Sequence, residues 1–207
     1  MNIAVIGANG RSGVEFIKAA LSRGHHVTAG AYRGPVHIKH KNLRVVLCDA
    51  TKPAELRKLL EKQQAVVSLL GHVPESDQNV QTAAITNAVN IMTELGLRRI
   101  VSLTGTGVRF TGDRISLADR ALNAGISLID PARVRDGRAH VEVLRASGLD
   151  WTVVRVLKLT NGKPNDFRLS LHGPAKVMTP RSEVAMAIVQ ILEEDIFVKK
   201  APIIGRA

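Results

Sequence analysis

Cysteine occurs once in the 207 residues, at Cys48. No internal disulfide framework can form, and a single thiol fits a reducing cytosol. Aromatic residues are 3% of the chain, with one tryptophan and one tyrosine, too few for the base-stacking sheet of an RNA-recognition module. Specific nucleic-acid binding is therefore not expected. No apolar run approaches the roughly eighteen residues that span a bilayer. Glycines interrupt the N-terminal apolar stretch and no basic segment precedes it, which argues against a secretory signal. The expectation is a cytoplasmic protein without a membrane partner. No Cys/His cluster has metal-ligand spacing, so no metal site is expected.

Acidic residues are also scarce. The formal net charge is +11, and from Arg98 to Arg181 fifteen Lys/Arg stand against seven Asp/Glu. Such a surface is either a solvated basic face or an attractor for an anionic cofactor or substrate. Hydrophobic residues make up 45%, and the length suits one domain over 1–207 with a sizeable core.

Apolar runs alternate with segments of helical period. Ile3 to Ile6 reads as a strand, and Val14, Phe16, Ile17, Ala20 and Leu21 line one face of the helix after it. Further strands are expected at 25–32, 43–50, 65–71, 98–107 and 149–157. Helices are expected after Thr51 as cap, from about Gln78 to Leu95, and over 114–147 with a break at Pro131. The tail offers a short strand at 167–173 and a helix opened by Thr179 with Pro180 at its first position. A last "APIIG" would add an edge strand. This alternation predicts an α/β fold, a doubly wound parallel sheet with small C-terminal elements on the substrate side.

The first strand runs directly into "GANGRSG". Gly7 allows a tight turn, Gly10 lets a pyrophosphate approach the backbone, and Gly13 lets the helix pack on the sheet. Gly7, Ala8, Asn9, Gly10, Arg11, Ser12 and Gly13 thus form a candidate dinucleotide cradle at a helix N-terminus. Asn9 and Ser12 would add side-chain hydrogen bonds. The plain alternative is an ordinary strand–helix turn. Val14 after the last glycine excludes an NTPase phosphate loop, which needs Lys-Ser/Thr there. No Asp or Glu lies between Leu21 and Lys41, where an NAD-preferring site places its ribose-binding acid. Arg33 stands there instead, and guanidinium groups such as Arg33 and Arg11 suit a 2′-phosphate. NADP(H) is therefore favoured over NAD(H).

"GANGRSG", with glycines three apart, resembles the short-chain dehydrogenase/reductase superfamily. "VVLCDATKPAELRKLL", "SLLG", "HVEVLRASGLDWTVVRV" and "TPRSEVAMAIVQILEE" resemble its atypical branch of NmrA-like proteins and flavin/biliverdin-type reductases. The resemblance implies a Rossmann-type fold, bound NADP(H), Asp49 and Ala50 beside the adenine, and Leu70 and Gly71 near its ribose. The typical Tyr-x-x-x-Lys pair is absent, because Tyr32, the one tyrosine, stands at the wrong end of the fold.

Ligands of doubly wound sheets bind beyond the C-terminal strand ends. Thr104, Thr106 and Arg109 after the fifth strand are therefore candidates for the substrate, and Val156 and Leu157 for the nicotinamide side. Ser102, nearer mid-strand, reads as structural. His72 and His140 have the ordinary pKa of a proton donor. The expected activity is NADPH-dependent hydride transfer to a small planar or carbonyl-bearing acceptor. The alternative is a non-catalytic NADP(H) sensor acting through a homodimer or a protein partner.

Overall fold

Ile3 and Val5 turn to one side of the first strand and Ala4 and Ile6 to the other, and all four are buried. A strand apolar on both faces has to be covered on both. In the computed structural model, which describes residues 1–73 and 75–207, that strand is β1 (Asn2–Ile6). It leads into α1 (Arg11–Ser22), β2 (His26–Ala31), β3 (Leu43–Leu47), α2 (Pro53–Leu60), β4 (Ala65–Ser68) and α3 (Val80–Leu95). There follow β5 (Arg99–Gly105), α4 (Leu117–Ile129), α5 (Pro131–Ala146), β6 (Asp150–Val156) and β7 (Lys158–Thr160). The chain closes with β8 (Phe167–Ser170), β9 (Met178–Pro180), α6 (Arg181–Glu193) and β10 (Ile203–Arg206).

Eight strands form one sheet in the order β3-β2-β1-β4-β5-β6-β10-β8, parallel except for the β10–β8 pair. This is a Rossmann-type doubly wound α/β fold. Phe16 and Ile17 of α1 join Ile188 and Ile191 of α6 in the core on one face. Leu56 and Leu59 of α2, Ile85 and Met92 of α3 and Leu144 of α5 fill the other. Strand order reverses between β1 and β4, and a crevice opens there beyond the strand ends. No helix among the described residues is long and apolar enough to cross a membrane.

Four local expectations change. Thr51 does not cap α2, because Asp49 Oδ1 accepts both its N–H (3.0 Å) and its hydroxyl (2.6 Å). Lys52 takes the cap position with Pro53 behind it. Thr179 does not cap α6, and Pro180 takes the cap position rather than the first helical one; both belong to β9, which pairs in parallel with β7, so the helix starts at Arg181. The final strand is not an edge. β10 lies between β6 and β8, with Ile203 opposite Arg155 on one side and Ile204 opposite Leu169 on the other.

The guanidinium of Arg155 is fully buried within this frame. Arg155 on β6 pairs with Asp113 through Nη1–Oδ2 at 2.6 Å and Nη2–Oδ1 at 2.9 Å, and donates to the carbonyls of Val108, Leu171 and Ala201. Burial alone would raise the Asp113 carboxyl, but the bonds from Arg155 and Phe110 N–H outweigh it and hold it below its ordinary value. The pair fixes the segment after β5 against β8 and β10, and so fixes one wall of the site.

Candidate functional site

The glycine turn is built by exclusion. A Cβ on Gly13 would sit 2.3 Å from Gly7 O and 2.7 Å from Ala8 O, so α1 can approach the turn only without a side chain there. Gly7 holds φ at +77°, in the left-handed region that favours glycine. Ala8 N–H donates to Gly30 O at 3.1 Å, tying the turn to β2. Gly10 caps α1 without a side-chain hydrogen bond, which leaves first-turn amides to an outside acceptor. The side chain of Asn9, expected to add a hydrogen bond to the dinucleotide, is engaged by the backbone of Tyr32. Its Nδ2 donates to Tyr32 O (2.7 Å) and its Oδ1 accepts from Tyr32 N–H (3.2 Å). It is a strut between the turn and the end of β2.

Two clefts flank this turn and meet at Leu69, Leu70 and Gly71 after β4. The larger, about 480 Å³, is lined by Gly7, Gly10, Tyr32, Arg33, Asp49 and Ala50. Arg33 takes φ +52° and lays its guanidinium 4.9 Å from the Tyr32 ring centre. Its Nη1 lies 3.5 Å from Glu75 Oε2, an exposed pairing of small energetic weight. Asp49 faces the cleft while holding Thr51, and its own N–H donates to Glu55 Oε2 at 2.8 Å. Burial, with Glu55 and Asp49 nearby, pushes the Cys48 thiol up to about 12, so it stays protonated.

The second cleft, about 420 Å³, lies beyond β5 and β6. Ser12, Thr104, Val156 and Leu157 line it, and Asn123, Arg133, Gly137, Lys158 and Arg181 join them. Gly137 brings α5 close to β5, since a Cβ there would stand 3.2 Å from Thr104 Oγ1.

Four expected site residues face elsewhere. Thr106 is fully buried, and its Oγ1 accepts from Asn123 Nδ2 at 3.0 Å. Arg109 is drawn to the buried Asp119. His72 Nε2 lies 3.0 Å from Asp136 Oδ2 and 3.1 Å from Gln78 O, outside either cleft. His140 is 2% exposed with Nε2 3.4 Å from Ser102 Oγ. Burial drives its pKa down to about 4 against the pull of Asp136, so it is neutral at neutral pH and holds no spare proton. Buried and charge-neutral, it packs α5 onto β5 rather than serving an acceptor.

Sequence reasoning missed Arg181, Arg133, Lys158 and Asn123. Arg181 did leave a signal: a cation directly after Pro180, at the start of a helix whose dipole disfavours it.

The profile of the NAD(P)H-binding family matches residues 7–195. No curated protein matches the sequence. Among solved structures, a short-chain dehydrogenase/reductase from Veillonella parvula superposes with TM-score 0.82 at 21% identity, covering 99% of this chain and 94% of that one. A second structure of that description from the same organism, in complex with NADP, gives TM-score 0.82 at 20% identity with the same coverage. The oxidoreductase ylbE from Lactococcus lactis gives TM-score 0.82 at 16% identity, covering 100% of this chain and 91% of that one. At these identities the likeness is one of fold.

Proposed function

This chain belongs to the NAD(P)H-binding family, and from that premise we propose that it is an NADPH-dependent reductase of a small planar or carbonyl-bearing acceptor. One observation carries the proposal: two clefts that meet beside a glycine turn no side chain can enter, one holding Arg33 and Asp49 and the other Thr104, Val156 and Leu157. The residues present fit the cofactor. Backbone amides from Arg11 to Gly13 would hold its phosphates, and Asp49, Ala50, Leu70 and Gly71 would border the adenosine. Arg33, with no acid at the end of β2, would read a 2′-phosphate.

Bound there, the reduced nicotinamide supplies a hydride. Val156, Leu157 and Leu70 give the cleft an apolar wall for the nicotinamide, and Thr104 Oγ1 donates a hydrogen bond to the acceptor. Arg133 and Lys158 at the mouth favour an acceptor with negative charge. With neither a tyrosine nor a charged histidine at the cleft, the proton comes from solvent water. Calorimetry with NADPH and NADH tests the cofactor: Arg33→Ala should cost about tenfold or more in NADPH affinity and little for NADH. Equal binding of both by both proteins would overturn the NADPH preference.

The withdrawal of His72, His140 and Arg109 from the cleft favours a second reading, a sensor that binds NADP(H) without turnover. NADPH absorbance followed with flavins, quinones and aldehydes separates the two. Tight binding with every acceptor left unreduced would establish the sensor.

A further inference from the structure

Helix α4 buries only Asp119 among its thirteen residues. Leu117, Ala121, Ala124 and Leu128 follow one another at steps of four, three and four, so they form a single stripe along it. Every one of them is exposed. Leu117 is 83% and Leu128 84% exposed, and Ile129 at the C-terminal end 86%. The two leucines stand about 16 Å apart along the axis. Scattered exposed leucines are ordinary, but an apolar stripe along a whole helix marks a surface that something covers. The opposite side holds the helix in place. Asp119 binds Arg109, Asn123 Nδ2 donates to Thr106 Oγ1 at 3.0 Å, and Ile126 lines the Thr104 cleft.

The charge around the stripe selects its cover. From Arg114 to Arg138 each carboxylate is committed: Asp119 to Arg109, Asp130 to Arg133 Nε at 3.1 Å, and Asp136 to the amides of Gln81 and Thr82. Arg114 and Arg120, and Arg135 and Arg138 in the first half of α5, are exposed and form no ion pair among the described residues. A second copy of this chain would set the same four cations against its own, at a formal net charge of +11 on each molecule. A protein that takes up an apolar helix does so in a groove of its own, and one that met this ridge would need that groove ringed with acids. A bilayer needs neither. It conforms to a ridge, admits apolar side chains below its headgroups and, where its lipids are anionic, attracts the arginines around them. A helix lying in the plane of the surface needs one apolar face, not a run long enough to span.

We propose that α4 docks this protein on an anionic lipid surface, with Leu117, Leu128 and Ile129 entering the headgroup layer and Arg114, Arg120, Arg135 and Arg138 meeting the lipid anions. Asn123 and Ile126 of the same helix line the Thr104 cleft, so a planar acceptor dissolved in the lipid reaches that cleft along α4. This last consequence rests on the reductase reading; the docking does not.

Flotation of the full chain with lipid vesicles tests the docking. Wild type should float with phosphatidylcholine vesicles that contain phosphatidylserine and stay behind with phosphatidylcholine alone. The double variant Leu117→Gln/Leu128→Gln keeps every charge, changes only exposed side chains, and should lose about tenfold or more in affinity for the anionic vesicles. Arg120→Gln should lose about fivefold. In Leu128→Trp the added indole should shift its fluorescence to the blue on those vesicles, against a constant background from the buried Trp151. Unchanged affinity of the double variant would overturn the docking and reduce the binding to diffuse attraction by a basic surface. Equal flotation with both kinds of vesicle, or none with either, would overturn it as well. A wild type that floats with neither and sediments as a dimer, dissociated by Leu117→Gln/Leu128→Gln, would give the stripe to a second copy instead. Anionic-vesicle binding by a chain that takes no pyridine nucleotide would sink the reductase and leave the docking standing.

Discussion

Gly13 is the tightest point of the glycine turn, and the atoms that crowd it are backbone. Gly7 O and Ala8 O lie 2.3 and 2.7 Å from the point a Cβ would occupy, and neither can yield by rotating a side chain. Gly13→Ala should therefore cost about 1–3 kcal/mol of stability and at least about tenfold in NADPH affinity, read by urea unfolding and calorimetry. Wild-type behaviour in both would show that the turn is not the constraint. His140 gives a second prediction. Its folded pKa of about 4 lies below the ordinary 6.5, so between those values the unfolded chain holds the extra proton. Stability is complete above pH 6.5 and falls as pH drops toward 4, by on the order of 3 kcal/mol in all. Urea unfolding at pH 7 and pH 4.5 should show this loss, smaller in His140→Gln. His25, lowered first by burial and then by the N-terminal ammonium, would leave a residual slope. The glycine spacing was legible because it obeys a local backbone rule. The neutrality of His140 was not, because it depends on strands and helices far away in the chain.

At the scale of elements, helix ends show where local signals give way to tertiary ones. Ser116 caps α4 and Asp130 caps α5 through their own side chains, accepting from Asp119 N–H and Arg133 N–H. The start of α3 is capped from a different helix. The buried Asp136 on α5 accepts from Gln81 N–H and Thr82 N–H, each at 2.9 Å, and from the Thr82 hydroxyl, with His72 Nε2 at 3.0 Å. No sequence window around residue 80 contains that carboxylate. Asp136→Ala should leave these donors buried and unmatched and cost about 2–4 kcal/mol. Amide exchange at Gln81 and Thr82 should accelerate more than exchange at the C-terminal end of α3. Uniform acceleration along the helix would point to general loosening instead. Thr51 misleads for a related reason: a hydroxyl placed to cap α2 serves better as a donor to Asp49. "APIIG" reads as an edge because its partner β8 is short and weakly patterned. Only the sheet itself places Ile203 and Ile204 in its interior.

Over the whole molecule, the formal charge of +11 is not spread evenly around the clefts. Arg33 lies in the cleft that holds Asp49 and Ala50, and Arg11 and Arg181 border a third cleft of about 310 Å³ beside the first turns of α1 and α6. Arg133, Lys158 and Arg181 line the Thr104 cleft, which among the described residues has no Asp or Glu in its lining. The doubly wound sheet was readable from strand and helix periods, because each period is a property of its own segment. The Thr104 cleft was only half readable, because Ser12, Thr104, Gly137, Val156 and Arg181 come together from five separate elements or turns. Its excess of cations over anions has a kinetic consequence. An anion approaching the strand ends meets a positive field focused by low-dielectric walls, which raises its association rate and makes that rate sensitive to salt. NADPH carries a further phosphate for Arg33 to attract, so its association should slow more steeply than that of NADH as the Debye length shrinks from about 14 to 4 Å between roughly 0.05 and 0.5 M salt. Stopped-flow binding should show about a tenfold or larger drop for NADPH over that range. Arg33→Ala should bring the NADPH slope down to the NADH slope, whereas two parallel slopes in the wild type would mean that the charge around the clefts is an ordinary solvated surface.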